Sequence, residues 1–215
     1  MWFRRLRRQP FVAQVIWIVL ALAIALSLAE ARWSLAVVSA VTLVLSLMPV
    51  LAQRRLGIRM PVHFLAGIVI FVFATIFLGE AFDFYNRYWW WDVLLHGGSA
   101  LGFGLAGFLF VFMLFEGDRY AAPAGAVAFL SFCLALSAGT LWEIFEFAMD
   151  RAFGLNMQKS GLTDTMGDLI VDTLGAAIGA VAGYFYLKGR QLGGLTGVLQ
   201  DFVQANRRFF RKHRR

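Results

Sequence analysis

Six long apolar runs constrain this chain more than anything else in it. They cover roughly 11–29, 33–52, 62–79, 93–115, 123–149 and 164–187. Each is close to the ~20 residues that an α-helix needs to cross a ~30 Å hydrocarbon core. Lipid offers the backbone no hydrogen-bond partners, so segments of this kind must pair their own N–H and C=O groups and fold as helices. The breaks between runs are short and polar: Glu30 to Arg32, Gln53 to Pro61, Glu116 to Pro123. Pro61 is placed to open a helix, where its missing N–H costs nothing. The fifth run is longer than the core is thick, so it tilts or protrudes. The expected fold is an all-α membrane protein. A single six-transmembrane-helix bundle fills 1–187, and a basic amphipathic tail follows over 188–215.

Composition agrees. The chain of 215 residues is 60% hydrophobic, against about 45–50% for a soluble domain. The net charge is +7. The basic residues flank apolar runs, so anionic lipid is the expected partner and nucleic acid is not. The lone cysteine, Cys133, cannot form an intrachain disulfide and leaves the redox compartment open. The opening MWFRRLRRQP before an apolar run has the form of a signal peptide, with Ser27-Leu28-Ala29 or Ala29-Glu30-Ala31 as a cleavage site. The run is long for such a peptide and a second run follows at once, so the reading is an uncleaved first helix.

Orientation follows from the arginines and lysines. With both termini cytoplasmic, Arg4, Arg5, Arg7, Arg8, Arg54, Arg55, Arg59, Arg119 and the eight from Lys188 onward face inward, sixteen of the twenty. Only Arg32, Arg87, Arg151 and Lys159 remain outside. The expected location is a bacterial plasma (inner) membrane. In the tail, Leu195, Val198, Leu199, Phe202 and Val203 recur at helical spacing ahead of Arg207, Arg208, Arg211 and Lys212. This reads as an interfacial helix on the anionic inner leaflet, with a disordered basic tail as the alternative.

The acids sort the other way. Ten of thirteen fall at or near the expected outer face. Charged groups inside or beside a span are costly and mark function. In WWWDVLLHGG, Asp92 and His96 stand one turn apart at the mouth of the fourth run. The fifth run leaves through GTLWEIFEFAMD, with Glu143, Glu146 and Asp150 on one face. The sixth enters through TDTMGDLIVDTLGA, with Asp164, Asp168 and Asp172 four apart. That stripe continues as Gly175, Gly179 and Gly183, a close-packing face between membrane helices. The three faces are therefore expected to converge.

Each residue also has a plainer role. Asp92 can cap its helix, as can Thr163 or Asp164 the sixth. Asp150 reads as a solvated helix end, and Trp89, Trp90 and Trp91 as an interfacial belt. Glu143, Asp168 and Asp172 are deeper and aligned, which favours a polar site. With Asp150 counted, seven carboxylates and one imidazole call for protons, water or a cation. The candidate cluster is Asp92, His96, Glu143, Glu146, Asp164, Asp168 and Asp172. Its expected metal ligands are His96, Glu143, Glu146, Asp168 and Asp172, and oxygen donors with one imidazole suit Mg, Mn or Zn. The sequence carries none of the HExxH, CxxC, GxSxG or phosphate-loop signatures.

LWEIFEFAMD, then GLNMQKSGLTDTMGDLIVDTLGA, behind an Asp-x-x-x-His helix, resembles the YjdF-type family of bacterial inner-membrane proteins over about 85–187. The resemblance implies a multi-helix membrane protein of unassigned biochemical role, with His96, Glu143, Glu146, Asp164, Asp168 and Asp172 as its polar signature. A weaker similarity reaches VanZ-like proteins, from which the chain departs in having Glu146 where an amide is usual. Three functions stay open: a metal-dependent enzyme acting on a lipid or lipid-linked substrate, a proton- or cation-coupled transporter, and a structural or accessory subunit.

Overall fold

The computed structural model describes residues 9–116, 118 and 121–210. Arg4 to Arg8, Arg119 and residues 211–215, used above for orientation, lie outside the described residues, as does the side chain of Arg54. Among the described residues, eight α-helices follow in order: α1 (Phe11–Ala29), α2 (Trp33–Leu56), α3 (Val62–Val72), α4 (Phe84–Arg87), α5 (Trp89–Leu114), α6 (Ala124–Phe153), α7 (Leu162–Leu187) and α8 (Gly193–Ala205). A π-helical stretch, Phe73–Ala81, prolongs α3. No strand occurs among the described residues. Six of the helical segments are long and apolar enough to cross a membrane: Phe11–Ala29, Trp33–Gln53, Val62–Ala81, Trp89–Leu114, Ala124–Phe153 and Leu162–Leu187. All six expected spans are present as helices. Pro61 and Pro123 sit just before Val62 and Ala124, and Gly57 and Gly154 close α2 and α6 in the left-handed conformation that glycine tolerates.

The chain forms two compact units, Met1–Trp91 and Asp92–Arg215. In the first, Ala13, Ile16, Trp17 and Leu20 of α1 pack with Leu65, Val69 and Phe77. Ser39, Thr42 and Ser46 line a buried face of α2 and donate to their own helix carbonyls at Leu35, Val38 and Leu43. Ser46 Oγ also accepts from Trp17 Nε1 at 3.1 Å, tying α1 to α2. Small hydroxyl residues permit this approach inside lipid, where polar groups need an internal partner.

The second unit contains α5 from Asp92 onward, α6, α7 and α8. Its glycines set the helix spacing. A Cβ at Gly175 would lie 2.6 Å from the Gly97 carbonyl oxygen, and one at Gly179 would lie 2.8 Å from that of Leu101. One at Gly183 would strike the Phe108 ring. The expected glycine stripe thus clamps α7 onto α5. The outer faces of α6 and α7 are apolar and exposed, with Leu141, Ile144, Phe147, Ile170, Leu174 and Ile178. Such a perimeter belongs in lipid.

Helix α8 forms over the tail stripe, with Leu199 and Val203 buried within the protein and Leu195, Val198 and Phe202 partly exposed. Phe210 turns back onto Phe112 with ring centroids 5.5 Å apart. An apolar helical stripe has the same pattern whether protein or lipid covers it, and here α8 packs on α7.

Candidate metal-binding site

Three helices of the second unit build the site. The first turn of α5 presents Asp92, and the second His96. Glu143 comes from α6, Asp168 and Asp172 from α7. His96, Glu143, Asp168 and Asp172 are all buried, with Asp172 only 1% exposed, and Asp92 is half-buried.

His96 is the hub. Its Nδ1 stands 3.3 Å from Asp172 Oδ1. Were the Asp172 carboxylate ionised it could only accept; Nδ1 would then carry the proton of this bond, and a neutral ring would keep its lone pair on Nε2. Around Nε2 lie Asp92 Oδ1 at 3.8 Å, Glu143 Oε1 at 3.9 Å and Asp168 Oδ2 at 4.0 Å. These separations exceed a hydrogen bond and are nearly equal. Among the described residues, neither oxygen of Glu143, nor Asp172 Oδ2, has a hydrogen-bond partner, although all three are shielded from solvent.

Gly139 makes room for this. It lies one turn before Glu143 on α6, and a Cβ there would collide with the Asp172 carboxylate. The close approach of α6 and α7 therefore rests on a residue without a side chain, at the deepest acid of the cluster.

The other sequence candidates are placed differently. Glu146 is not among the groups within 4.0 Å of His96; its Oε1 accepts from Trp142 Nε1 at 2.9 Å. It lies three residues from Glu143, ~60° around the helix, on the side that Trp142 shares. Asp164 is in the first turn of α7, where its Oδ2 accepts from the Lys159 N–H at 3.1 Å. It does not cap the helix. Gly161, with φ +63°, holds that position instead of Thr163 or Asp164. Asp150 accepts from the N–H groups of Met157 and Gln158 at 2.7 and 2.9 Å. Gln158 also donates to Thr165 Oγ1 at 2.5 Å. Asp150 and Asp164 thus pin the α6–α7 loop at both ends.

Asp92, His96 and Asp168 each offer one ligand atom, and these atoms lie within 4.8 Å of one another. Two donors on one ion at ~2.1 Å stand roughly 3–3.5 Å apart, so a bound ion would draw the three inward.

Residues 11–189 match the family described as "predicted membrane protein (DUF2238)". The chain belongs to the DUF2238 family. It is a membrane protein, as the family's description has it, with six helices apolar and long enough to span a bilayer among the described residues. An uncharacterized protein of Thermotoga maritima is 33% identical to this chain over 104 residues. That match covers 48% of this chain and 53% of the Thermotoga protein, so about half of the relative is spanned. No solved structure matches.

Gly139 was not among the sequence candidates, and its lack of a side chain is what admits Asp172. Asp92 belonged to the candidate cluster but not to the expected metal ligands, with capping as its plainer role, and its carboxylate faces His96 Nε2. The Asp-x-x-x-His spacing carried the signal, since residues four apart share a helix face.

Proposed function

We propose that this protein binds a divalent metal ion between Asp92, His96 and Asp168 and acts there on a lipid or lipid-linked substrate at the outer leaflet of a bacterial inner membrane. The observation that carries the reading is the ring of three carboxylates around His96 Nε2, with the buried and unpartnered oxygens of Glu143 beside it. Buried anionic groups need a compensating charge, and a divalent cation supplies it at the shared centre. A mixed imidazole and carboxylate donor set suits Zn or Mn, with Mg a weaker match. Such an ion, when bound, polarises a phosphoryl or acyl oxygen or activates water. Glu143 is outside the trio whose donor atoms all lie within 4.8 Å of one another, and it would be the carboxylate left to take a proton.

The arginine and lysine count supports cytoplasmic termini, an orientation in which the Asp92 end of α5 faces outward. The apolar perimeter beside the site suits a substrate that arrives through the bilayer. A transport path fits less well: below Asp172 the α7 stripe becomes Gly175, Gly179 and Gly183, packed tightly on α5. The resemblance to YjdF-type proteins supports the membrane setting and adds no chemistry.

Elemental analysis of purified protein, before and after metal loading, tests the reading. Wild type is expected to retain about one divalent ion per chain, and His96→Ala and Asp168→Asn to lose it. Wild type without metal after loading overturns it. Variants that misassemble instead of losing metal point to a structural role.

A further inference from the structure

At the end of α7 remote from His96, a cavity of about 570 Å³ opens between that helix and α8. Its lining includes Arg190 and Arg207, Gln191, Gln200 and Gln204, and the apolar Val203 and Phe210. No acidic residue is among these. Neither guanidinium forms an ion pair among the described residues, while Val203 and Phe210 give the cavity a buried apolar floor.

We propose that this cavity is a binding site for a phosphate-bearing anion. Two guanidiniums present planar donor forks that match phosphate oxygens, and three carboxamides add further N–H donors. The donor excess and the absence of acids in the lining select an anion over a cation or a neutral solute. The phosphate belongs either to an anionic phospholipid or to soluble phosphate, and the location decides between them. The cavity opens where α7 leaves its apolar span at Leu187 and Lys188, the level at which headgroups lie. The apolar floor suits the glycerol end of a lipid. Since α8 uses its own apolar face internally, this cavity gives the tail a polar route to the leaflet. None of these residues belongs to the His96 cluster, so the site stands whether or not a metal binds there.

Full-length protein in phosphatidylcholine nanodiscs doped with phosphatidylglycerol is assayed by native mass spectrometry for retained lipid. In parallel, detergent-solubilised protein is titrated with inorganic phosphate while its unfolding midpoint is followed. Both assays are repeated on Arg190→Gln/Arg207→Gln and on the charge-retaining Arg190→Lys/Arg207→Lys. Both arginines are exposed, so an unchanged midpoint without phosphate verifies folding. Saturable retention of phosphatidylglycerol is expected, weakened by about tenfold for each guanidinium lost and less in the lysine variant. A midpoint rise with inorganic phosphate that the glutamine variant loses, without phosphatidylglycerol preference, sustains the phosphate site and assigns it to a soluble anion. No response to either probe, or equal responses in wild type and glutamine variant, overturns the proposal.

Discussion

His96 Nδ1 meets Asp172 Oδ1 at 3.3 Å, joining residues 76 positions apart in the chain. The contact fixes the imidazole plane and directs Nε2 at Asp92, Glu143 and Asp168. Asp172 thereby acts through His96 rather than beside it.

The first prediction follows from that division of labour. Removing a carboxylate that orients a ligating histidine typically weakens metal affinity by about 10–100-fold. Asp172→Asn should fall in this range and still bind, whereas His96→Ala should not bind measurably. Competition against a chromophoric chelator reads both. Wild-type affinity in Asp172→Asn would remove its positioning role.

Gly139→Ala should destabilise the protein by about 1–3 kcal/mol, the usual cost of overpacking. The added methyl meets the Asp172 carboxylate, so Asp172→Ala should relieve most of that loss. A double-mutant cycle on unfolding in detergent measures the coupling. Additive effects of the two substitutions would show that the contact is not the source of the strain.

The spans, the helix ends and the convergence of three acidic faces were legible because each depends on local pattern: run length, proline and glycine punctuation, and four-residue spacing. What was not legible depends on helix rotation. Glu143 and Glu146 are ~60° apart, and both lie on a broadly acidic stripe. Which of them reaches His96 is decided by Gly139, whose side of α6 approaches α7. Asp150 was read as a solvated helix end and Asp164 as a cap or a member of the cluster, but loop geometry turns their oxygens to backbone N–H groups. The π-helical stretch Phe73–Ala81 has no sequence period that separates it from α-helix. Phe210 lies beyond the helical repeat of the tail, so periodicity passed over the residue that closes it against Phe112.

Loop order supplies a third prediction. Asp150 accepts two backbone N–H groups, from Met157 and Gln158, while Asp164 accepts one, from Lys159. A hydrogen bond to a charged group contributes about 1.5–3 kcal/mol. Asp150→Ala should therefore speed amide exchange at Met157 and Gln158 by about 10–100-fold, leaving Lys159 nearer its wild-type rate. Asp164→Ala should show the reverse pattern. Hydrogen exchange resolved over 155–161 measures it, and uniform loosening in both variants would mean the loop is held by something else.

The tail gives the last prediction, which separates protein-covered from lipid-covered apolar surface. Leu199 is fully buried, whereas Leu192, just before α8, is 36% exposed. Truncating a buried leucine costs about 2–5 kcal/mol, because the surrounding groups close the cavity only in part. An exposed one costs within about 0.5 kcal/mol. Leu199→Ala should accordingly lower the unfolding midpoint of detergent-solubilised protein clearly, and Leu192→Ala hardly at all. Phe210→Ala should act like Leu199→Ala, since its ring covers Phe112 from outside the helix. Were the apolar face of α8 seated in lipid, the three variants would unfold alike in detergent and differ only in membrane partitioning.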